Sequence, residues 1–405
     1  MNGHIIAGVD IGTHTTKTLI AVKKPADSQR PEETDIQVLG FGQEPSSGIR
    51  RGVVINPQEV GEIIKRSFEK AQENAGQKIS SAYVNIGGSH IASTSSKGLI
   101  SVSRADGKIS ESDIDRVLQA AQTFSLPSNK EILQVFPKEF IVDGEKGIKE
   151  VVGMQGVRLE VEAIVIYGFS PYIKNLSQAV VSSGLQANDL IPSVLASARA
   201  VLDERQKELG VILLDIGAGT TELAVFEEGS LIHLAVFPVG SANITHDIAV
   251  GLRTDVDTAE RIKLEYGTCV YSPQKKVIKI ETAGGEGYLT FSPKILMQII
   301  EPRVSEVFDL VSKELKKISK SGILPAGVVL TGGGAKLPKI CDIAKKELKL
   351  PVKIGIPRGF FPPQEDPAFS AVCGMILTAA DSTEVEGFEK GILKRIKKIF
   401  RAFIP

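Results

Sequence analysis

Two short segments of this chain share an arrangement of aspartate, glycine and threonine that suits phosphate binding. The first runs from Asp10 to Lys17 (DIGTHTTK) and the second from Asp215 to Glu222 (DIGAGTTE). Glycine lets backbone N–H groups approach an anion closely, and threonine hydroxyls add donors that carry no charge. One phosphate chain could therefore be bound by both turns.

The charged residues of these segments point to a nucleotide with a metal ion. Asp10 and Asp215 each end an apolar run, and a carboxylate there can hold the water shell of a Mg²⁺ that bridges phosphates. Lys17 supplies a compact cation for the terminal phosphates. A third glycine turn, at residues 332–334, could approach the nucleoside. Neither a P-loop motif nor a GxGxxG after the first strand occurs, which disfavours those nucleotide folds.

The apolar patterns around the turns predict an α/β fold. Strand-like runs, Ile5–Val9 with Thr18–Val22 and Val211–Asp215 with Leu223–Phe226, make each turn the tip of a hairpin. The motif recurs at an offset of 205 residues, about half the chain, which indicates a duplicated domain. Periodic apolar residues predict helices at Pro57–Ala75, Ser110–Gln122, Pro171–Ser183, Pro192–Gln206, Ser241–Gly251, Asp257–Tyr266, Pro293–Ile318 and Phe369–Ala379.

Composition narrows the class of protein. The 405 residues are 42% hydrophobic and 24% charged, enough for several folded domains. Lys plus Arg and Asp plus Glu both number 48, so the net charge is zero and no nucleic-acid partner is expected. We find no apolar run long enough to span a bilayer and no basic signal segment at the N-terminus. Three scattered cysteines fit a reducing, cytoplasmic compartment.

Together, the three glycine turns resemble the phosphate 1, phosphate 2 and adenosine motifs of the actin/Hsp70/sugar-kinase superfamily. Within it, the chain resembles the FtsA family of bacterial cell-division actin homologues along nearly its whole length. The resemblance implies an actin-like (ribonuclease H-like) duplicated two-domain ATPase fold with an inserted α+β subdomain, called 1C. The stretches that carry the closer resemblance are SSGIRRGVV from Ser46, VVGMQGVR from Val151, ELG from Glu208, DTAERIK from Asp257 and IEPR from Ile300.

The same resemblance divides the chain into subdomains. Each half would contain a split subdomain with a second one placed inside it. The implied ranges are 1–78 and 161–206 for subdomain 1A, 79–160 for the inserted 1C, 207–240 and 301–379 for 2A with a closing helix, 241–300 for 2B, 380–386 for a linker and 387–405 for an amphipathic membrane-targeting helix.

ATP and Mg²⁺ are the ligands that the resemblance implies. Glu260 and Lys263, at i and i+3 on a polar helix face, would flank the ribose and adenine, although a solvated ion pair explains the same spacing. Asp10 and Asp215 would hold Mg²⁺ through water. The implied nucleotide-binding set is Asp10, Gly12, Thr13, His14, Thr15, Thr16, Lys17, Asp215, Gly217, Ala218, Gly219, Thr220, Thr221, Gly240, Asn243, Glu260, Lys263, Gly332, Gly333, Gly334 and Lys336.

Hydrolysis of the nucleotide is expected to be slow or absent. Actin relatives place a Gln or Glu near the start of the helix before phosphate 2, where it orients the attacking water. Here that region, Leu190–Arg199, contains neither residue, and the hydroxyl of Ser193 is a weak base. The sequence therefore predicts ATP binding with at most slow turnover, and it leaves the catalytic residues unassigned.

Residues 387–405 have the pattern of an amphipathic helix with a basic face. Six Lys or Arg residues against one Glu give the segment a net charge of +5, in a chain whose net charge is zero. This uniformly basic face favours an interfacial helix on an anionic membrane over a calmodulin-type target or a docked packing helix. The expected membrane contacts are Phe388, Ile392, Leu393, Ile396, Ile399, Phe400, Phe403, Ile404, Lys394, Arg395, Lys397, Lys398 and Arg401.

The resemblance also implies partners. Subdomain 2B of the family binds the C-terminal peptide of FtsZ, and Arg303 would receive its acidic end, although an ion pair with Glu306 explains the same residue. Self-association into actin-like polymers, contacts with other division proteins and a place on the cytoplasmic face of the cell membrane at the division site are implied as well. The favoured function is an ATP-dependent membrane tether for FtsZ filaments.

Three other members of the superfamily are the alternatives. A pilus-assembly actin homologue would lack the terminal basic helix. A sugar kinase would need a carboxylate base beside a polyol pocket, and it would have no use for that helix. An Hsp70-type chaperone would need a substrate-binding domain after residue 380.

Overall fold

The computed structural model describes residues 4–24, 36–124, 126–270, 277–282, 287–320, 322–362 and 364–383. The strands are β1 (Ile5–Ile11), β2 (Thr15–Lys23), β3 (Ile36–Pro45), β4 (Ile49–Arg50), β5 (Val53–Val54), β6 (Ser81–Ile86), β7 (Ala92–Ser101), β8 (Lys130–Val142), β9 (Glu145–Ile148), β10 (Arg158–Phe169), β11 (Gln186–Pro192), β12 (Val211–Ile216), β13 (Thr221–Glu227), β14 (Ser230–Phe237), β15 (Ile278–Glu281), β16 (Tyr288–Phe291), β17 (Val328–Thr331), β18 (Val352–Ile354) and β19 (Phe360–Phe361). The helices are α1 (Pro57–Ala75), α2 (Glu111–Ala121), α3 (Ser170–Ser182), α4 (Ser193–Val201), α5 (Glu204–Leu209), α6 (Ser241–Leu252), α7 (Val256–Tyr266), α8 (Pro293–Lys317), α9 (Ile340–Leu348) and α10 (Ser370–Thr383).

The first half is built on a sheet of order β11-β6-β1-β2-β3-β19. Its β1–β2 hairpin is the one that the sequence predicts, and Asp10 lies directly opposite Lys17 in the ladder. Helix α1 has the predicted bounds and packs against β2 and β3 through a buried face that includes Ile64 and Phe68. Helix α10, from the far end of the chain, packs against β1, β2 and β6 of this sheet.

The second half is built on a longer sheet, of order β18-β17-β12-β13-β14-β7-β10-β8-β9. The β12–β13 hairpin carries the second glycine turn, and Asp215 lies directly opposite Glu222. Strand β17 lies parallel to β12, which brings the third glycine turn to the same edge. Helices α6, α7, α8 and α9 contribute to the core of this half. The duplication that the repeated motif predicts is therefore present as two equivalent hairpins.

The inserted subdomain comprises β7, α2, β8, β9 and β10, and it has a small core of its own. The sequence places this insertion at residues 79–160, but β6 pairs in parallel with β1 and belongs to the first sheet. At the other end, β10 continues as one strand to Phe169 while it pairs with β7 and β8. The insertion therefore lies later in the chain at both ends, since an apolar run alone does not reveal its partner strand.

Several elements differ from the predicted ones. The single helix predicted at Pro192–Gln206 is two helices, because the chain breaks at Leu202 and the Asp203 side chain caps α5. Strands β3, β11 and β14 are among those that the sequence did not predict. Helix α10 is described as far as residue 383, so the first residues of the predicted 380–386 linker are helical. None of the helices in the described ranges is long and apolar enough to cross a lipid bilayer.

Helices α4 and α10 cross at Gly374 with almost no space between them. A Cβ atom added at Gly374 would lie 1.7 Å from the Ala196 carbonyl oxygen, which is backbone and cannot rotate away. We expect Gly374→Ala to lower the free energy of unfolding by about 3 kcal/mol. Gly8→Ala is the matched control, because the nearest atoms to its added Cβ are at 3.4 Å. Urea unfolding of both variants measures the difference, and equal stabilities would contradict the expectation.

Candidate functional site

A cleft with a volume of about 520 Å³ opens where the tips of the two hairpins face each other. This volume is within the usual range for small-molecule sites. Residues of both hairpins, of the third glycine turn and of helix α7 line it together. The predicted nucleotide-binding residues that line the cleft are Asp10, Gly12, Thr13, His14, Thr15, Lys17, Asp215, Gly217, Ala218, Thr220, Glu260, Lys263, Gly332, Gly333, Gly334 and Lys336.

The other predicted residues lie next to the cleft but do not line it. Successive side chains of a strand point to opposite faces, so Thr16 and Thr221 point away from the cleft while their neighbours face it. Their hydroxyls bond instead to Ser46 and to the Val239 carbonyl. The remaining predicted residues outside the lining are Gly219, Gly240 and Asn243, of which Asn243 accepts a hydrogen bond from the Gly240 N–H.

Asp10 is buried at the end of β1 and has two side-chain partners. Lys17 Nζ lies 3.2 Å from its Oδ2, and Asn85 Nδ2 donates to its Oδ1 at 2.9 Å. Asn85 also accepts from the Ile11 N–H, so it fastens β6 to the end of β1. Sequence reasoning missed Asn85, although a polar residue within the apolar run of β6 is the signal that could have identified it.

Asp215 holds the equivalent place in the second hairpin. Ser197 of α4 donates a 2.5 Å hydrogen bond to its Oδ2. Burial raises the pKa of Asp215 to about 6, and the nearby Asp10 adds to the rise, while Ser197 and Lys17 oppose it. Two carboxyl groups thus face one cleft, and the presence of Asp10 makes it harder for Asp215 to ionise.

A hydrated Mg²⁺ fits this donor set. Mg²⁺ prefers oxygen ligands and commonly keeps several of its waters, so one or two carboxylates suffice for it. Across the described ranges, no group of three His, Cys, Asp or Glu side chains is arranged to hold a metal ion directly. The carboxylates of Asp10 and Asp215 would therefore act through the ion's water shell.

Glu222 is a third carboxylate at the cleft, and the sequence did not identify it as a site residue. Its Oε2 accepts a hydrogen bond from the Val194 N–H, at 3.1 Å, where helix α4 begins. Burial raises the pKa of Glu222 to about 8, with Asp215 and Asp10 contributing in the same direction. The expectation of a Gln or Glu concerns residues 190–199, whereas Glu222 comes from a different element, β13.

Glu260 and Lys263, which lie on α7, also line the cleft. Lys263 Nζ lies 2.7 Å from Glu260 Oε2 and 2.8 Å from the hydroxyl of Thr245. Burial alone would raise the pKa of Glu260, but hydrogen bonds from Lys263 and Thr245 outweigh it, so the pKa lies below its usual value. The two predicted residues thus form the ion pair that their spacing allows, and that pair also faces the cleft.

Arg303 lies on α8 and its guanidinium is already paired. Its Nε and Nη2 contact the two carboxylate oxygens of Asp247 at 2.6 and 3.0 Å, and its Nη1 contacts Glu306. The ion pair with Glu306 is the one that the sequence offers as the alternative to a role of Arg303 in peptide binding. The pairing with Asp247, on α6, was not predicted. The predicted membrane segment, residues 387–405, lies outside the described residues.

The duplicated hairpins around one cleft define an actin-like α/β protein with a candidate nucleotide site. Solved structures of the same fold include the PilM–PilN type IV pilus biogenesis complex (TM-score 0.65, 17% identity, covering 92% of this chain and 97% of that chain). MreB5 of Spiroplasma citri bound to ADP is another (TM-score 0.56, 14% identity, covering 97% and 98%). At these identities the likeness shows the fold alone.

Sequence relatives are far closer. The cell division protein FtsA of Pseudomonas aeruginosa is 36% identical over 93% of this chain and 89% of its own length, and that of Bacillus subtilis is 34% identical over 96% and 87%. The family model for cell division protein FtsA matches residues 212–374. The model for the SHS2 domain inserted in FtsA matches residues 88–167, which agrees with the insertion from β7 to β10. This chain belongs to the FtsA family of cell-division proteins, which confirms the resemblance seen in the sequence.

Proposed function

We propose that this chain binds ATP in the cleft and links FtsZ filaments to the cytoplasmic face of the bacterial cell membrane at the division site. The pair of hairpin turns that face one cleft from opposite sides carries the nucleotide part of the proposal. The actin-like MreB5 structure is bound to ADP, which supports an adenine nucleotide as the ligand.

Within the cleft, each predicted side chain would contribute according to its charge. Lys17 would bind the terminal phosphates, because its ammonium is buried beside Asp10 and lines the cleft. When bound, Mg²⁺ would neutralise phosphate charge, with Asp10 and Asp215 holding its waters. Glu260 and Lys263 would flank the ribose and adenine. Hydrolysis is expected to be slow at most.

The membrane part of the proposal rests on the pattern of residues 387–405. An apolar face of Phe, Ile and Leu beside a row of Lys and Arg suits the interface of an anionic bilayer. Each cation near such a surface adds about 1 kcal/mol of attraction. The rest of the chain carries the compensating negative charge, so the terminal segment is the part attracted to the membrane.

We expect Phe400→Glu combined with Phe403→Glu to abolish membrane binding. Each change removes a large apolar side chain from the lipid interface and adds a negative charge, so the partition coefficient should fall about a hundredfold or more. Co-sedimentation with liposomes that contain anionic lipid measures the bound fraction. A variant that still pellets with the liposomes would refute the assignment of this helix as the anchor.

Arg303→Glu tests the binding of FtsZ separately from the binding of the membrane in the same experiment. The variant should pellet with liposomes as the wild type does, but it should no longer bring FtsZ with it, because the receptor for an acidic peptide end would be reversed in charge. Retention of FtsZ by this variant would show that Arg303 is only an ion-pair partner of Asp247 and Glu306.

Self-association into actin-like polymers and contacts with other division proteins complete the proposal, since the chain belongs to the FtsA family and has the actin-like fold. Electron microscopy on lipid monolayers, with and without ATP, reports whether polymers form and whether the nucleotide controls them.

A further inference from the structure

The inserted subdomain belongs to the first half by its position in the chain, but it is hydrogen-bonded to the second half. It lies between β6 and α3, two elements of the first half. Its first strand, β7, nevertheless lies next to β14 in the second sheet, with Ala92 directly opposite Ala235. Strand β14 also contacts β8 and β10 of the insertion. The insertion therefore connects the two halves that carry the phosphate turns.

A serine side chain extends the pairing of β7 with β14. The Ser93 hydroxyl donates a hydrogen bond to the Leu234 carbonyl at 2.8 Å and accepts one from the Leu234 N–H at 3.0 Å. One side chain of the insertion thus binds both backbone groups of a residue in the second half. Since these backbone groups would otherwise need other partners, separating β7 from β14 at this point is unfavourable.

A second contact lies at the start of β14. Lys149 Nζ donates to the Ser230 hydroxyl at 2.9 Å and to the Lys138 carbonyl at 3.0 Å. The Ser230 hydroxyl itself donates to the same Lys138 carbonyl at 3.3 Å. We call the contacts of Ser93 and Lys149 with β14 the insertion clamp. Because the clamp holds β14 at two points, it opposes rotation of the insertion against the second half.

The insertion is joined to the first half by two chain segments that lie side by side. One is the Gly87–Gly88 turn after β6, and the other is the junction of Phe169 with Ser170, where β10 ends and α3 begins. The Phe169 N–H donates to His90 Nδ1 at 3.2 Å, which holds the two segments together. Gly88 has φ 101°, and Gly87 lines the cleft. Two adjacent connections at the ends of elements form a hinge, because few backbone dihedrals must change for the parts to rotate.

We propose that the inserted subdomain and the second half move as one body, and that the first half rotates against both when the cleft opens or closes around a nucleotide. This inference rests on the proposed binding of ATP in the cleft. The two halves meet at the hairpin tips, where a Cβ atom added at Gly219 would lie 2.8 Å from Thr13 Oγ1. Opening separates these tips, and the insertion clamp then stays intact while the hinge bends. Occupancy of the cleft thereby sets the angle between the insertion and the first half.

Distances between spin labels on the full chain test the proposal. Cysteines replace, two at a time, three exposed lysines: Lys65 on α1, Lys146 on β9 and Lys316 on α8. The background is Cys341→Ala, and the other two native cysteines are buried and should not be labelled. When ATP and Mg²⁺ are added, the distances from Lys65 to Lys146 and from Lys65 to Lys316 should each change by at least about 2 Å. The distance from Lys146 to Lys316 should stay constant within about 1 Å.

Ser93→Ala combined with Lys149→Ala removes the insertion clamp. In this variant the distribution of distances from Lys146 to Lys316 should become at least about twofold broader, because the insertion is no longer fixed to the second half. The affinity for a fluorescent ATP analogue should stay within about threefold of the wild type, since neither residue lines the cleft.

Ser95→Ala combined with Lys108→Ala is the matched control, because it makes the same two changes at exposed residues of the insertion. Its distance distributions should equal those of the wild type. Thermal unfolding verifies that each variant is folded, and Ser93→Ala alone, expected to broaden the distribution less, serves if the double variant is not.

Three results would overturn the inference. A distance from Lys146 to Lys316 that changes with ATP as much as the distance from Lys65 to Lys316 would show that the insertion moves with the first half. The second result is an unchanged distribution when the insertion clamp is removed. The third is a chain that binds ATP while none of the three distances changes. Failure of the chain to bind the fluorescent ATP analogue at all would instead overturn the proposed function, and this inference with it.

Discussion

Gly332→Ala should abolish nucleotide binding and lower the free energy of unfolding by about 3 kcal/mol. Gly332 has φ 82° and ψ 169°, a backbone conformation that only glycine adopts readily. A Cβ atom added there would lie 2.2 Å from the Asp215 Oδ1 and 2.7 Å from the Ile216 carbonyl. The substitution would therefore strain the third turn and push a site carboxylate out of position, so we expect the affinity for ATP to fall at least a hundredfold.

Its neighbour Gly333 provides the control within the same triple glycine. The nearest atom to a Cβ added at Gly333 is 3.9 Å away, on Ala368, and its φ is not in the left-handed region. Gly333→Ala should keep the stability of the wild type within about 0.5 kcal/mol. Urea unfolding and titration with a fluorescent ATP analogue measure the pair. Equal stability and affinity for Gly332→Ala and the wild type would show that the turn relaxes.

Local features of the fold could be predicted from the sequence. The two hairpins follow from apolar runs on either side of a glycine turn, and α1 has the predicted bounds because its start, its apolar face and its terminal glycine all agree. The repeated motif indicates the duplication directly, since sequence identity at a fixed offset does not depend on tertiary contacts. The hairpins and α1 could be predicted because they depend on residues that are near one another in the chain.

The features that could not be predicted depend on which distant segments meet. The strand β6 looks like any buried strand, and only its pairing with β1 assigns it to the first sheet and not to the insertion. Likewise, Asn85 and Asp10 are far apart in the chain but share a hydrogen bond. The sequence predicted that the glycine and threonine residues of both turns bind the nucleotide. Because successive side chains of a strand point to opposite faces, Thr16 and Thr221 point away from the cleft.

The position of Glu222 in the cleft is a further feature that could not be predicted, because it also depends on which distant segments meet. The family resemblance places a Gln or Glu within residues 190–199, that is, near the start of α4 itself. The fold instead brings a carboxylate from β13 to the first turn of that helix, where the Val194 N–H binds it. A carboxyl group at the start of α4 thus comes from another part of the chain.

The raised pKa of Glu222 should make stability depend on pH above neutrality. In the folded chain this pKa is about 8, well above the ordinary value of 4.5 that applies when the chain is unfolded. Between these two values the folded state binds more protons than the unfolded state, so the free energy of unfolding falls as pH rises. The contribution is fully present below about pH 4.5 and is lost once pH exceeds the folded value. Asp215, with a pKa raised to about 6, acts in the same direction over a narrower window.

Glu222→Gln should therefore be more stable than the wild type at high pH in the absence of nucleotide and Mg²⁺. We expect little difference at pH 5 and a gain on the order of a few kcal/mol at pH 9, because the amide never needs to ionise in its buried place. Burial lowers the pKa of His90 to about 4, so this residue makes the free energy of unfolding rise with pH below about pH 6.5. Because His90 is present in both proteins, the difference in the free energy of unfolding between variant and wild type is the quantity to follow. Urea unfolding at pH 5, 7 and 9 measures this difference in the free energy of unfolding.

Glu145→Gln, at an exposed glutamate on β9, is the control, and its free energy of unfolding should differ from that of the wild type by the same amount at each pH. A difference for Glu222→Gln that is equally constant would mean that the carboxyl ionises as easily in the folded chain as in water.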